Sequence, residues 1–318
     1  AGRMNEGLIL GHDTLKRTCH DVVDRWADRV SAAAMPSPDR VHGLPPLEPK
    51  HFEWSDALLA DADACDDLLD RYGSPVNVLN PAPMQANIDE LVAAGKRCGV
   101  ETKVFYARKA NKALVFADTA RDTGNGVDVA SENELRIALA ANFPPERITV
   151  HGNNKSEAFL RLCVESKVGH VVIDSRQELR QLEAVAREAG VTQDVFVRVK
   201  PGVDAHTHEF IATSHEDQKF GISLATGDAL AASIEAIESE WLELTGLHCH
   251  VGSQVFDAEG FKLAAERVLG LYAEIWKTRG VALGYLDLGG GYGIAYMPGE
   301  SPLDVAAVAK DLLAAVQD

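Results

Sequence analysis

The chain has 318 residues, 46% of them hydrophobic and 25% charged, and its 31 Lys and Arg face 48 Asp and Glu for a formal net charge of −17 at pH 7. The acidic excess argues against nucleic acid and anionic membranes as partners, because both reward basic surface. The ordinary hydrophobic share argues against disorder, and the length suits two ordinary domains or one α/β barrel of about 250 residues with an addition.

Five cysteines (Cys19, Cys65, Cys98, Cys163, Cys249) are odd in number and form no C-x-x-C pair. Neither a disulfide framework nor a thiolate zinc site is indicated, and a reducing cytoplasm is expected. No run approaches the roughly 18 apolar residues of a membrane span, and LIL at 8–10 is too short for a signal-peptide core.

Residues 1–73 read as an N-terminal helical extension. Short helical patterns lead to a proline-rich break at 35–49, and then DALLADADACDDLLDRYG has the apolar spacing of a helix ending at Gly73. SPVNVLNP (74–81) reads as a short strand closed by proline. PMQANIDELVAAGKRCG (83–99) reads as an amphipathic helix stopped by glycine.

From residue 103 a unit repeats: an apolar run, a turn, an amphipathic helix. The runs are KVFYARK (103–109), VDVAS (127–131), ITVHGN (148–153), HVVIDS (170–175), VFVRVK (195–200), LTGLHCHVG (244–252) and YLDLGGG (285–291). Such alternation with nearly continuous apolar strands predicts a parallel sheet buried on both faces. VDVASENEL and VVIDSRQEL each place Ser three residues before Glu, a capping box at a helix start. Seven strands of a (β/α)₈ barrel are thus predicted over 74–318, followed by a helix at 302–317. An unclosed barrel leaves two bare strand edges, so the natural protein is expected to continue past Asp318 with an eighth strand.

In such a barrel the active site lies at the carboxyl ends of the strands. Those ends carry Lys109, Asp128 with Ser131, Asn153 and Asn154, Asp174, Arg198 with Lys200, His250 with Ser253, and Gly289, Gly290 and Gly291. The glycine run is a tight turn or a phosphate cradle, and its spacing does not match a dinucleotide fingerprint. His248 and His250 share one face of a strand. A metal there needs further ligands, no second His pair stands at another strand end, and HTH (206–208) lies in an insert, so no metal is expected. The alternatives are one His lining the site, with Ser253 donating to an anion, or a hydrogen-bonded core His. Lys109 at a strand end is either a solvated cation or, if burial lowers its pKa, an amine for Schiff-base chemistry. Lys103 and Lys112 read as surface charge, and the capping role suffices for Glu134 and Glu178.

Taken together, YARKAN, DVASENEL, HGNNK, RVKPGVDAHTH, KFGI, GLHCHVGSQ and LDLGGGYGI resemble the pyridoxal-phosphate-dependent decarboxylases of the alanine-racemase-type barrel, with diaminopimelate decarboxylases the nearest likeness. The resemblance implies that Lys109 carries pyridoxal 5'-phosphate covalently. It places Asp128 and Glu134 near that lysine, His250 on the pyridine ring, Ser253 and Gly289, Gly290 and Gly291 on the phosphate, and Arg198 along the barrel lining. It further implies an EPGR segment on strand eight and a C-terminal β domain with a CESxD segment crossing a homodimer interface, none of which occurs in these 318 residues. The expected reaction is decarboxylation of meso-diaminopimelate to L-lysine. The alternatives are another basic amino acid such as ornithine, arginine or lysine, a barrel that binds the cofactor without turnover, and a metal hydrolase using His248 and His250.

Overall fold

A computed structural model describes residues 7–10, 51–203, 219–296 and 299–317. The short helical patterns before residue 51, the proline-rich break at 35–49 and the HTH at 206–208 lie outside the described residues. The chain divides into two compact units, one within 5–80 and 295–301, the other spanning 81–294 and 302–318.

In the first unit, β1 (Gly7–Leu10) pairs antiparallel with β2 (Val76–Leu79), so LIL belongs to a strand. The single helix expected before Gly73 is two, α1 (Glu53–Ala60) and α2 (Ala62–Tyr72). Asp61 makes the break. Its backbone is extended, and its carboxylate accepts the Ala64 amide at 3.0 Å, satisfying a donor that a continuous helix would have bonded elsewhere. Gly73 ends α2 at φ +79°.

The second unit begins with α3 (Ala82–Arg97) and then alternates strand and helix: β3 (Phe105–Ala107), α4 (Leu114–Asp122), β4 (Gly126–Val129), α5 (Glu132–Ala140), β5 (Ile148–Val150), α6 (Glu157–Ser166), β6 (His170–Ile173), α7 (Arg176–Ala189), β7 (Gln193–Lys200), β8 (Ile222–Ser223), α8 (Asp228–Ile237), β9 (Leu242–His248), α9 (Ala258–Arg279), β10 (Tyr285–Asp287) and α10 (Val305–Gln317). Each of the seven expected apolar runs contains a strand of one parallel sheet in the order β10-β9-β7-β6-β5-β4-β3. β8, two residues long, pairs with the end of β7 outside the seven expected runs. The sheet curls as part of a (β/α) barrel. Lys103, just before edge strand β3, reaches Tyr285 at the start of the other edge strand, its Nζ 5.1 Å from the ring centroid. Outside the sheet α10 packs on both α9 and α3, so the helical layer also comes round.

Strand register sorts the side chains into two faces. Val127, Val129, Ile148, Val150, Val171, Ile173, Val195, Val197 and Leu247 turn toward the helices and are fully buried. The inner face is layered. Near the amino ends, Phe105, His170, Phe196 and Tyr285 form an aromatic plug, with His170 stacked on Phe196 at 4.4 Å. Gly126 and Gly246 make room for it: a Cβ on the first would lie 2.3 Å from the Phe105 ring, and one on the second 2.3 Å from the Tyr285 carbonyl. One turn of alternation further, the same face carries Asp128, Arg198, His248 and Asp287. The inner face is therefore aromatic toward the amino ends and charged toward the carboxyl ends, where the sequence places Asp128 and Arg198.

Candidate active site

The YARKAN segment folds back on itself after β3. Tyr106 Oη donates to the Asn111 carbonyl at 3.0 Å, and Asn111 Oδ1 accepts the Ala113 amide at 2.9 Å. Arg108, fully buried, donates to the carbonyls of Glu134 at 3.1 Å and Lys112 at 2.9 Å. These bonds pin the loop and leave Lys109 exposed at the strand's carboxyl end. The described residues do not bury its side chain.

Glu134 does what the capping box requires and more. Ser131 Oγ accepts the Glu134 amide at 3.3 Å, and Glu134 Oε2 accepts the Ala130 amide at 2.8 Å. Its other oxygen lies 3.1 Å from Lys112 Nζ. Glu178 repeats the pattern on α7, where Ser175 caps, and it also holds the buried Lys155 ammonium at 2.6 Å. That pairing was not legible from capping spacing alone.

The upper inner layer brings four titratable side chains together. Asp128 Oδ2 stands 3.4 Å from His151 Nε2; the His151 ring meets the His248 ring edge-on at 4.7 Å; His248 Nδ1 is 2.8 Å from Asp287 Oδ2. The last contact is close enough for ion pairing although not aligned as a hydrogen bond. Burial pushes His248 below the usual imidazole range, opposed by Asp287. Burial disfavours the Asp287 carboxylate, but His248, His151 and the Gly289 amide outweigh it and hold the carboxyl below the usual range. His151 was missed by the sequence reading. Its signal was position, one residue past a strand end on the inward-facing parity.

Arg198 lies 3.8 Å from Asp174 through Nε, with its guanidinium 4.7 Å over the Phe220 ring. Asp174 also accepts the Gly221 amide at 3.0 Å, so the KFGI segment is tied to the ends of β6 and β7. Lys200 is partly buried at the end of β7, and Asn154 adopts the left-handed conformation at φ +54°.

His250 sits above this layer against the glycine loop. A Cβ on Gly289 would come within 2.9 Å of His250 Nδ1, and one on Gly291 within 1.8 Å of the Gly252 carbonyl. Only glycine allows these approaches, with φ +69° and +102° at the two positions. Burial, then the charges of Lys109 and Arg198 among others, hold the His250 imidazole down to about 3, so it is neutral at physiological pH. The loop that bears the exposed Ser253 is stitched to the glycine loop: Gln254 exchanges two 3.0 Å hydrogen bonds with the Ile294 backbone, and the Val255 amide donates to the Gly291 carbonyl at 2.9 Å. Beneath them Val255, Phe261, Ala265, Val308 and Leu312 form a buried apolar cluster. The result is a neutral aromatic ring, a lysine and a rigid glycine turn at one end of the sheet. His248 and His250 engage different neighbours, the carboxylate of Asp287 and the glycine loop.

Residues 85–318 match the family described as pyridoxal-dependent decarboxylase, pyridoxal binding domain. A diaminopimelate decarboxylase of Corynebacterium efficiens is 56% identical over 250 residues, covering 79% of this chain and 54% of that protein. One from Mycobacterium bovis is 46% identical over 257 residues, covering 79% and 56%. The diaminopimelate decarboxylase of M. jannaschii, solved with L-lysine, superposes with a TM-score of 0.69 at 32% identity, covering 79% of this chain and 58% of that one. The chain spans just over half the length of these relatives.

Proposed function

The chain belongs to the pyridoxal-dependent decarboxylase family, and from that membership we propose that it forms the cofactor-binding barrel of a carboxy-lyase that converts meso-diaminopimelate to L-lysine. The observation that carries this reading is the meeting of Lys109, a neutral His250 and the glycine turn at the carboxyl ends of one curled parallel sheet. Pyridoxal phosphate fits these residues. The turn at Gly289–Gly291 admits no side chain where it meets His250 and Gly252, and among the described residues the Gly290 and Gly291 amides donate to no protein oxygen, as an anion cradle requires. An exposed primary amine stands at the carboxyl end of β3, the other edge strand of the same sheet.

In this reading Lys109 would hold the cofactor covalently, Gly289, Gly290, Gly291 and the Ser253 hydroxyl would hold its phosphate, and His250 would face its ring. Bound there, the cofactor supplies a carbonyl for the substrate amine and an electron-accepting ring that makes loss of carboxylate feasible. The protein's part is positioning and charge control. A neutral His250 offers a flat face without adding a second positive charge beside Lys109. Asp128 places a carboxylate on the inner face below the mouth, one strand from β3. Glu134, bonded to Ala130 and Lys112, fixes the turn between β4 and α5. Arg198, braced by Asp174 and Phe220, contributes a fixed cation to the barrel lining.

The same reading makes the protein a cytoplasmic homodimer acting on a small amino acid. No helix among the described residues is long and apolar enough to cross a membrane. Borohydride reduction of the protein with pyridoxal phosphate, followed by peptide mapping, should place the label on Lys109. Carbon dioxide release should be highest from meso-diaminopimelate among diaminopimelate, lysine, ornithine and arginine. Label elsewhere, or preference for another substrate, would overturn the respective part.

A further inference from the structure

We propose that Asp287, held by His248, is the positioning residue of the glycine loop: it fixes the turn at Gly289–Gly291 against His250 and thereby sets the geometry in which an anion is bound. The inference rests on the pyridoxal-phosphate reading above and deepens it.

Asp287 ends β10 with its side chain on the inner face. One carboxylate oxygen accepts the Gly289 amide at 2.8 Å and the other lies 2.8 Å from His248 Nδ1. Its main-chain carbonyl accepts the Cys249 amide, also at 2.8 Å. The first glycine of the loop is thus clamped from two sides, by the carboxylate below and by the Cys249–His250 backbone, which a Gly289 Cβ would approach to 2.8 Å. His248 is itself fixed, 4% exposed and edge-on against His151.

A carboxylate so close to an anion cradle would repel a phosphate if it served only as charge. One oxygen instead accepts the Gly289 N–H, and the other lies against the buried His248 ring. The arrangement spends the Gly289 donor on loop shape and leaves Gly290 and Gly291 as the amides that face a ligand. The sequence shows the same economy, since Leu286-Asp287-Leu288 is the only polar interruption of an apolar strand before the glycines.

The test is titration of the cofactor-free protein with pyridoxal phosphate, read by visible absorbance, by the ³¹P resonance of the bound phosphate and by borohydride trapping on Lys109. Asp287→Ala, which removes the acceptor, should weaken binding roughly tenfold or more, the scale of a charged hydrogen bond. Asp287→Asn keeps an oxygen for the Gly289 amide and should stay within about threefold of wild type. His248→Asn retains a donor near the Nδ1 position and should bind better than His248→Leu, which fills the space without one. Equal binding by Asp287→Ala and wild type, or a leucine that rescues where asparagine fails, would overturn the proposal. Far-UV circular dichroism checks folding, and should Asp287→Ala not fold, the His248 pair decides. A wild-type protein that binds no pyridoxal phosphate would overturn the underlying reading and this inference with it, whereas a wild type that binds and variants that bind equally overturn the inference alone.

Discussion

Replacing Lys155 with methionine removes a cation from the inside of the barrel wall. The Lys155 ammonium donates to the Gly152 carbonyl at 2.8 Å, the Val172 carbonyl at 2.7 Å and Glu178 Oε1 at 2.6 Å, and the two side chains are 1% and 3% exposed. Glu178 is left with longer contacts, the Asp174 amide at 3.3 Å and the residue-155 amide at 3.4 Å. Methionine therefore strands a buried carboxylate and two carbonyls at once. Removing one member of a buried pair costs about 3–5 kcal/mol. With a shift of roughly 2–4 °C per kcal/mol for a domain of this size, melting should fall by about 6–20 °C. Urea unfolding followed by far-UV circular dichroism measures the loss directly. Lys155→Met/Glu178→Leu, which removes both charges, should be less destabilised than the sum of its single variants. A single-variant loss under about 1 kcal/mol, or strict additivity in the double, would refute the claim that Lys155 is needed to satisfy buried Glu178 and the two carbonyls.

Other consequences follow from the same geometry. Ser131→Ala deletes the cap of α5 and should cost about 1 kcal/mol in urea unfolding. Gly291→Ala places a Cβ 1.8 Å from the Gly252 carbonyl at φ +102°, so the loop must move. Its pyridoxal-phosphate affinity should drop roughly tenfold or more while the circular dichroism spectrum is kept. Burial holds His170 down to about 4 and His250 to about 3, against 6.5 for the unfolded side chains. The folded state then refuses protons that the unfolded state takes up. Their contribution is complete above about pH 6.5 and is lost as pH falls through the window toward 4 and 3, so the unfolding free energy should rise with pH across it. Imidazole C–H resonances of the two residues should show no titration above pH 5.

The barrel was legible because its outward faces are almost pure Val, Ile and Leu, and because Ser131 and Ser175 announce the helices that follow. The break at Asp61 was not: in a stretch that also holds Asp56, Asp63, Asp66, Asp67 and Asp70, one more aspartate reads as a solvated face rather than as a cap. β8 escaped because two residues carry no period. Lys109, His250 and the glycines were found at strand ends, while His151, Asp287 and the Lys155–Glu178 pair were not singled out as a network. Asp128, His248 and Asp287 each interrupt a hydrophobic run at the inward parity, so the local signal existed. Which of them face one another depends on register between strands far apart in sequence, and a single strand's pattern contains nothing about its neighbour's register.

The same register explains how so acidic a chain can be suited to an anionic ligand. A net charge of −17 describes the whole surface, but the field at the mouth is set by which charges are compensated nearby. The carboxylates near the mouth have nearby partners: Asp287 engages His248 and the Gly289 amide, Asp174 the Gly221 amide and the vicinity of Arg198, and Glu134 the Ala130 amide and Lys112. Lys109 and the Gly290 and Gly291 amides have no such counterpart among the described contacts. Acid is thus spent inward on shape, and the Gly290 and Gly291 amides are left without a protein acceptor among the described residues at the turn where the proposed phosphate would be held.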